Sequence, residues 1–300
     1  MSLRAELIRF GIRALLKRRS PNFDIAEMRR TMQAAERFVP RPPSRCRSTE
    51  IEADGLVFQQ VAMPASRAER RVLYLHGGGY VSGSPAHYRH FTWRIADALS
   101  ANVFALAYRL APEHPFPAAL EDAAKAYDFL ASLAADTREL FVMGDSAGGG
   151  LTLCLLLKLR DEKRPLPRAA VALSPWTDLA LTGCSLAANA AGDPMLATRD
   201  LPHLVASYLA GADPRTPYAS PLYGDATGLP PVLIQVGSDE ILRDDAVGMA
   251  DKLTRANPQS RIEIWPRMPH VWQLFVPVLP EARQAIGKIA DFIADVEAKV

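Results

Sequence analysis

Cysteine is scarce in this chain: Cys46, Cys154 and Cys184 are the only three in 300 residues. They are odd in number, far apart and form no CxxC pair, so neither a disulfide framework nor a zinc site is indicated. The pattern fits a reducing compartment, and a cytoplasmic location is expected. Charge of one sign is also lacking. Thirty-five Lys and Arg against 33 Asp and Glu leave a net charge of +2, which gives no electrostatic case for nucleic acid. Nowhere does the sequence approach the roughly 18 uninterrupted apolar residues that span a bilayer, so no integral membrane segment is expected. There are no internal repeats and no low-complexity tracts. The rest is ordinary globular composition, 49% hydrophobic and 23% charged, with enough length for one large α/β domain.

Against this plain background, Gly144-Asp145-Ser146-Ala147-Gly148 stands out. It follows an apolar strand, Leu140–Met143, and precedes an apolar helix from Leu151 to Leu159. A serine at such a sharp strand-to-helix reversal has its hydroxyl lifted clear of the sheet edge, and the flanking positions must be nearly bare. Upstream, the strand Val72–Leu75 runs into His76-Gly77-Gly78-Gly79-Tyr80. Acyl transfer through serine places negative charge on the former carbonyl oxygen, and backbone N–H groups that glycine brings close can hold it. The expected donors are Gly77, Gly78 and Ala147, the residue after the serine.

Between these motifs lies Tyr108-Arg109-Leu110-Ala111-Pro112-Glu113-His114-Pro115-Phe116-Pro117-Ala118-Ala119. HGGGY, YRLAPEHPFPAAL and GDSAGGG, in that order, resemble the hormone-sensitive-lipase family of bacterial class IV esterases. The resemblance extends from about residue 70 to the C-terminus. It implies an α/β-hydrolase fold, hydrolysis of short-to-medium acyl esters with lactones and carbamates as alternatives, no metal or cofactor, and a homodimer. It also implies structural roles in the signature loops for His76 and His114.

Serine needs a base, and the base needs a carboxylate to orient it; in this fold the chain order is Ser, Asp or Glu, His. Only His203 and His270 follow Ser146. His203 falls in the insertion assigned below to a cap, whereas His270 follows the strand Arg261–Trp265 and precedes the last helix. His270 is therefore the expected base. The acid is expected after the strand Val232–Val236, where Gly237-Ser238-Asp239-Glu240 stands. Asp239 is the candidate and Glu240 its rival, because Asp239-Glu240-Ile241-Leu242 replaces the commoner Asp-Pro-Leu of the family. A peptidase on the same triad would need an accessory domain for which the chain is too short. A non-catalytic receptor of this fold would typically lack the histidine.

Strands alternating with amphipathic helices predict a mostly parallel sheet with helices on both faces, beginning with a hairpin through Asp54-Gly55. Ser146, Asp239 and His270 all fall at the carboxyl ends of strands, where such sheets bind ligands. Residues 46–179 and 216–300 are expected to form the catalytic domain. Residues 1–45 and 180–215 fall outside the alternation and are expected to pack together as a small helical cap over the serine. Tyr80, Phe38, Tyr208, Trp272 and Phe275 are candidates to line the pocket. The N-terminal stretch carries Arg4, Arg9, Arg13, Lys17, Arg18 and Arg19 against Glu6 alone, with apolar residues at Leu3, Leu7, Phe10, Ala14 and Leu15. It lacks the apolar core and cleavage site of a targeting peptide. An ordinary cap helix is the preferred reading, and an interfacial helix the alternative.

Overall fold

The structure, a computed structural model, describes residues 2–16 and 24–299. Lys17, Arg18 and Arg19 lie outside the described residues. Eight strands form one sheet: β1 (Arg47–Ala53), β2 (Leu56–Ala62), β3 (Arg71–Leu75), β4 (Asn102–Leu106), β5 (Leu140–Asp145), β6 (Ala169–Leu173), β7 (Val232–Gly237) and β8 (Arg261–Trp265). Their spatial order is β1-β2-β4-β3-β5-β6-β7-β8. The first two pairings are antiparallel and the rest are parallel. The hairpin turns on two residues, with Ala53 opposite Leu56. Asp54 (φ 52°) and Gly55 (φ 71°) supply the two positive φ angles that a tight hairpin matching the strand twist requires.

The helices are α1 (Leu3–Leu16), α2 (Ile25–Glu36), α3 (Pro85–Leu99), α4 (Ala118–Ser132), α5 (Ala147–Asp161), α6 (Ser185–Ala188), α7 (Leu201–Leu209), α8 (Arg243–Ala256) and α9 (Pro280–Glu297). One core layer joins α4, α5 and α8 to the sheet, and the other joins α3 and α9 to its opposite face. The apolar stripe read along α9 is wholly buried: Ala282, Ile286, Ile289, Ile293 and Val296. In α3 the buried face is Phe91, Ile95, Ala96 and Leu99, while Ala98 turns to solvent. Strands β3, β5 and β6 are buried almost throughout, as continuous apolar runs covered on both faces should be.

Outside these layers, α1 lies beside the loops that follow β7 and β8. Arg9 donates to the carboxylate of Asp239 and to the carbonyls of Arg267 and Gly192, and Arg13 donates to the carbonyl of Ala191. The N-terminal segment and the insertion after β6 therefore touch. Helix α2 is fastened from its other side: Arg29 bonds the carbonyls of Val81 and Ala111 and the carboxylate of Glu113.

Candidate active site

Ser146 sits on the turn between β5 and α5 with φ 54° and ψ −121°, a conformation rare for a non-glycine residue. The surroundings hold it there. Its N–H donates to the Leu173 carbonyl (2.8 Å), and its carbonyl accepts from Gly150 (3.0 Å) and Trp176 (3.0 Å). The flanking glycines are obligatory for lack of room. A Cβ on Gly144 would lie 2.2 Å from the Gly148 carbonyl oxygen, and one on Gly148 would lie 2.0 Å from that of Leu75.

His270, on the loop after β8, presents Nε2 to Ser146 Oγ at 2.9 Å and Nδ1 to a carboxylate at 2.7 Å. That carboxylate belongs to Glu240, which corrects the expectation of Asp239. Past the end of β7 the chain turns irregularly and the two neighbouring side chains diverge. Glu240 points inward and is fully buried, its Oε1 accepting from Ser174 Oγ (2.8 Å) and the Gly237 amide. Asp239 faces α1, where Arg9 Nη2 meets it at 2.8 Å, and its Oδ1 accepts from Ser238 Oγ. Ser174 has no place in the expected site. Its hydroxyl donates to Glu240 and accepts from the Val271 amide (3.1 Å), linking the carboxylate to the residue after the histidine.

Burial alone would pull the His270 imidazole down. The hydrogen bond and charge of Glu240, with the charges of Asp193 and Asp145, outweigh it, and the net shift is upward from the ordinary histidine value. His76 behaves oppositely: burial lowers it to about 4, so it is neutral at pH 7, stacked on Tyr108 at 4.3 Å.

The glycine loop departs from expectation at one amide. Gly77 N–H is directed inward, donating to Asp145 Oδ1 (3.0 Å) and Tyr88 Oη (3.0 Å). Asp145 also accepts from Tyr74 (2.7 Å), so one buried carboxylate ties the serine turn to the glycine loop. Burial pushes that carboxyl up to about 6, against the hydrogen bonds from Tyr74, Tyr88 and Gly77. Among the described residues, the amides of Gly78, Gly79 and Ala147 have no acceptor. Gly78 (φ 125°) and Gly79 (φ 64°) lie in the left-handed region that glycine tolerates, and a Cβ on Gly78 would strike the Ser82 carbonyl oxygen at 2.1 Å.

Of the pocket candidates, Tyr80 and Tyr208 stack face to face at 3.8 Å, joining the glycine loop to α7. Leu204 of the same helix lies over Gly79. Phe38 is 75% exposed under the Arg37 guanidinium, on the surface. Trp272 is fully buried and Phe275 half-buried in the layer formed by α3 and α9. Val271 (φ 49°) turns the backbone directly after His270, and these two aromatics then pack into that layer. A cavity of about 580 Å³ opens between α2 and the 82–84 and 110–114 loops, and none of Ser146, Glu240 or His270 lines it. Among the described residues no cluster of His, Cys, Asp and Glu could hold a metal ion, and no helix is long and apolar enough to cross a membrane.

A family model described as the alpha/beta hydrolase fold matches residues 72–274. An acetyl-hydrolase of Streptomyces hygroscopicus is 49% identical over 230 residues, 77% of this chain and 77% of that protein. An esterase of Acinetobacter venetianus is 32% identical over 262 residues, 87% of this chain and 86% of that one. Among solved structures, an esterase from the bacterial hormone-sensitive lipase family superposes with a TM-score of 0.92 at 39% identity, covering 98% of both chains. The esterase EstE5, soaked with p-nitrophenyl butyrate, gives 0.93 at 37% identity, over 99% of this chain and 100% of that one. With its serine on the turn after β5 and its histidine after β8, this chain belongs to the α/β-hydrolase family, in the hormone-sensitive-lipase group of bacterial esterases.

Proposed function

We propose that the protein is a carboxylesterase that cleaves short-to-medium acyl esters through an acyl-enzyme on Ser146. The observation that carries this reading is the unbroken line from Ser146 Oγ through both ring nitrogens of His270 to Glu240. Ser146 Oγ attacks the ester carbonyl carbon while His270 Nε2 takes its proton. Glu240 accepts the Nδ1 proton's hydrogen bond throughout, fixing the tautomer and favouring the imidazolium. The negative oxygen is received by the Gly78, Gly79 and Ala147 amides, the donors left without acceptors; the Gly77 amide is engaged by Asp145 and Tyr88. Each such donor is worth about 10²–10³ in rate. The tetrahedral intermediate collapses, the C–O bond breaks, and the leaving alkoxide takes the proton from His270. Water then attacks the acyl-serine by the same route, releasing the acid.

The preference for short acyl groups rests on the stack of Tyr80 and Tyr208 and on Leu204 over Gly79, which fill the space beside the proposed oxyanion site. On p-nitrophenyl esters of increasing length, kcat/KM is expected to peak at short-to-medium chains. A maximum beyond about ten carbons would contradict it, since a filled site cannot reward each added methylene. The 180–215 insertion and the N-terminal segment are proposed as the cap that bounds this site, α1 contributing its inner side through Arg9 while Leu3, Leu7 and Phe10 face solvent.

The pH dependence follows from His270. A base must be neutral to take a proton, and Glu240 holds the imidazole above its ordinary value. The kcat/KM for p-nitrophenyl butyrate therefore rises with pH, with its midpoint above the usual histidine value of about 6.5, and is lost as pH falls through it. In Glu240→Gln the largest of the raising charges is gone, leaving those of Asp193 and Asp145, so the midpoint moves to lower pH. A wild-type midpoint below the ordinary value would remove Glu240 from the line.

A further inference from the structure

Helix α1 is anchored by the face opposite its apolar stripe. The apolar stripe Leu3, Leu7 and Phe10, spaced by four and three residues, points outward at 78%, 63% and 74% exposure. The inward side is instead made by buried Ala5, by Ile8 against the α3–α9 layer, and by Arg9, with its bonds to Asp239, Arg267 and Gly192. The stripe continues onto the neighbouring loop, where Val278 is also exposed and its carbonyl accepts from Arg4.

The side chains that flank this stripe at the surface without a carboxylate partner are all basic. Arg4 flanks one side of it and Arg13 the other, and both reach only carbonyls; Arg283, beside Val278, does likewise. Among the described residues, no carboxylate pairs with any of these three. Of the nearby acids, Glu6 pairs with Arg267 and Asp239 with Arg9, while the Glu281 carboxylate is buried against Ser2 and off the surface. A second copy placed on this face by two-fold symmetry would set the same arginines opposite one another, with no acid to meet them. What suits an outward apolar ridge flanked by arginines without a carboxylate partner is a surface with an apolar interior and negative headgroups.

We propose that the outer face of α1, Leu3, Leu7 and Phe10 with Arg4 and Arg13, seats the enzyme on an anionic lipid–water interface. The ridge enters the acyl boundary and the guanidinium groups meet the phosphates. Because α1 is fastened by its inner face to the loops carrying Glu240 and His270, this docking brings the lipid surface alongside the catalytic side of the molecule.

The test is co-sedimentation of the full-length protein with vesicles of phosphatidylglycerol and phosphatidylcholine, or of phosphatidylcholine alone. Wild type should bind the anionic vesicles at least about tenfold more tightly, and lose that advantage as salt is raised. Leu7→Ser with Phe10→Ser should weaken anionic-vesicle binding by about tenfold or more. Arg4→Glu should abolish the preference for anionic vesicles. Both variants should hydrolyse soluble p-nitrophenyl acetate at the wild-type rate. Absence of vesicle binding, or equal binding by wild type and the double variant, overturns the proposal. So does a wild-type dimer that the double variant dissociates, which would give the face to a second copy. Loss of soluble-ester activity in both variants also overturns it, by placing these side chains in the folded core. None of these results bears on the chemistry at Ser146, which soluble esters report independently.

Discussion

Ser146→Ala is expected to lower kcat for p-nitrophenyl butyrate by about 10⁶-fold while leaving the circular dichroism and melting temperature close to wild type. The magnitude follows from the route. Without Oγ there is no acyl-enzyme, and what survives is water attack aided by the oxyanion donors and binding. The fold should tolerate the change because the turn is held by backbone contacts, Leu173 to the Ser146 amide and Gly150 and Trp176 to its carbonyl. The side chain contributes one hydrogen bond, to His270. His270→Ala should be nearly as severe, and the double variant no worse than either, because the two residues act as a unit. Wild-type turnover in Ser146→Ala would place the nucleophile elsewhere.

The second large effect separates two adjacent carboxylates. Glu240→Gln should cost about 10⁴-fold in kcat, because an amide at Oε2 no longer holds the imidazole tautomer or favours its charged form. Asp239→Asn should leave kcat within a few-fold of wild type. Asp239 meets Arg9 at a partly exposed ion pair, so its loss should cost no more than about 1 kcal/mol of stability. Steady-state kinetics on both variants, with thermal melts to exclude unfolding, distinguish the two. A collapse of kcat in Asp239→Asn with a near-normal Glu240→Gln would reverse the assignment drawn from the hydrogen bonds.

These two residues also mark how far the sequence could be read. Alternating strands and helices, the hairpin through Asp54-Gly55 and the buried stripe of α9 were all legible, because periodicity reports which side of an element faces the core. So was the serine turn, because its glycines leave a spacing that few other constraints produce. Past the end of β7 no periodicity operates. Nothing in Ser238-Asp239-Glu240 indicates which carboxylate turns inward, and the longer glutamate side chain reaches both His270 and Ser174. The same reason hid the orientation of the glycine amides. Three consecutive glycines announce a close backbone approach without saying which N–H is turned inward, and Asp145 claims that of Gly77.

The aromatics erred differently. Trp272 and Phe275 lie close to His270 in sequence, but after the turn at Val271 they pack into the layer formed by α3 and α9. For α1, the apolar spacing correctly announced a helix but left open whether its stripe faces the protein or solvent, and the structure turns it outward. Arg9 anchors the opposite side through three polar contacts, which a hydrophobic pattern does not register.

The most direct measurement is reaction with a fluorophosphonate, followed by intact-mass spectrometry and peptide mapping. A single adduct is expected on the peptide bearing the hydroxyl after Asp145, formed as esterase activity disappears. It should be absent from Ser146→Ala and strongly slowed in His270→Ala. Unlabelled protein that still hydrolyses p-nitrophenyl butyrate, or an inactivating adduct mapped to another residue, would contradict the account.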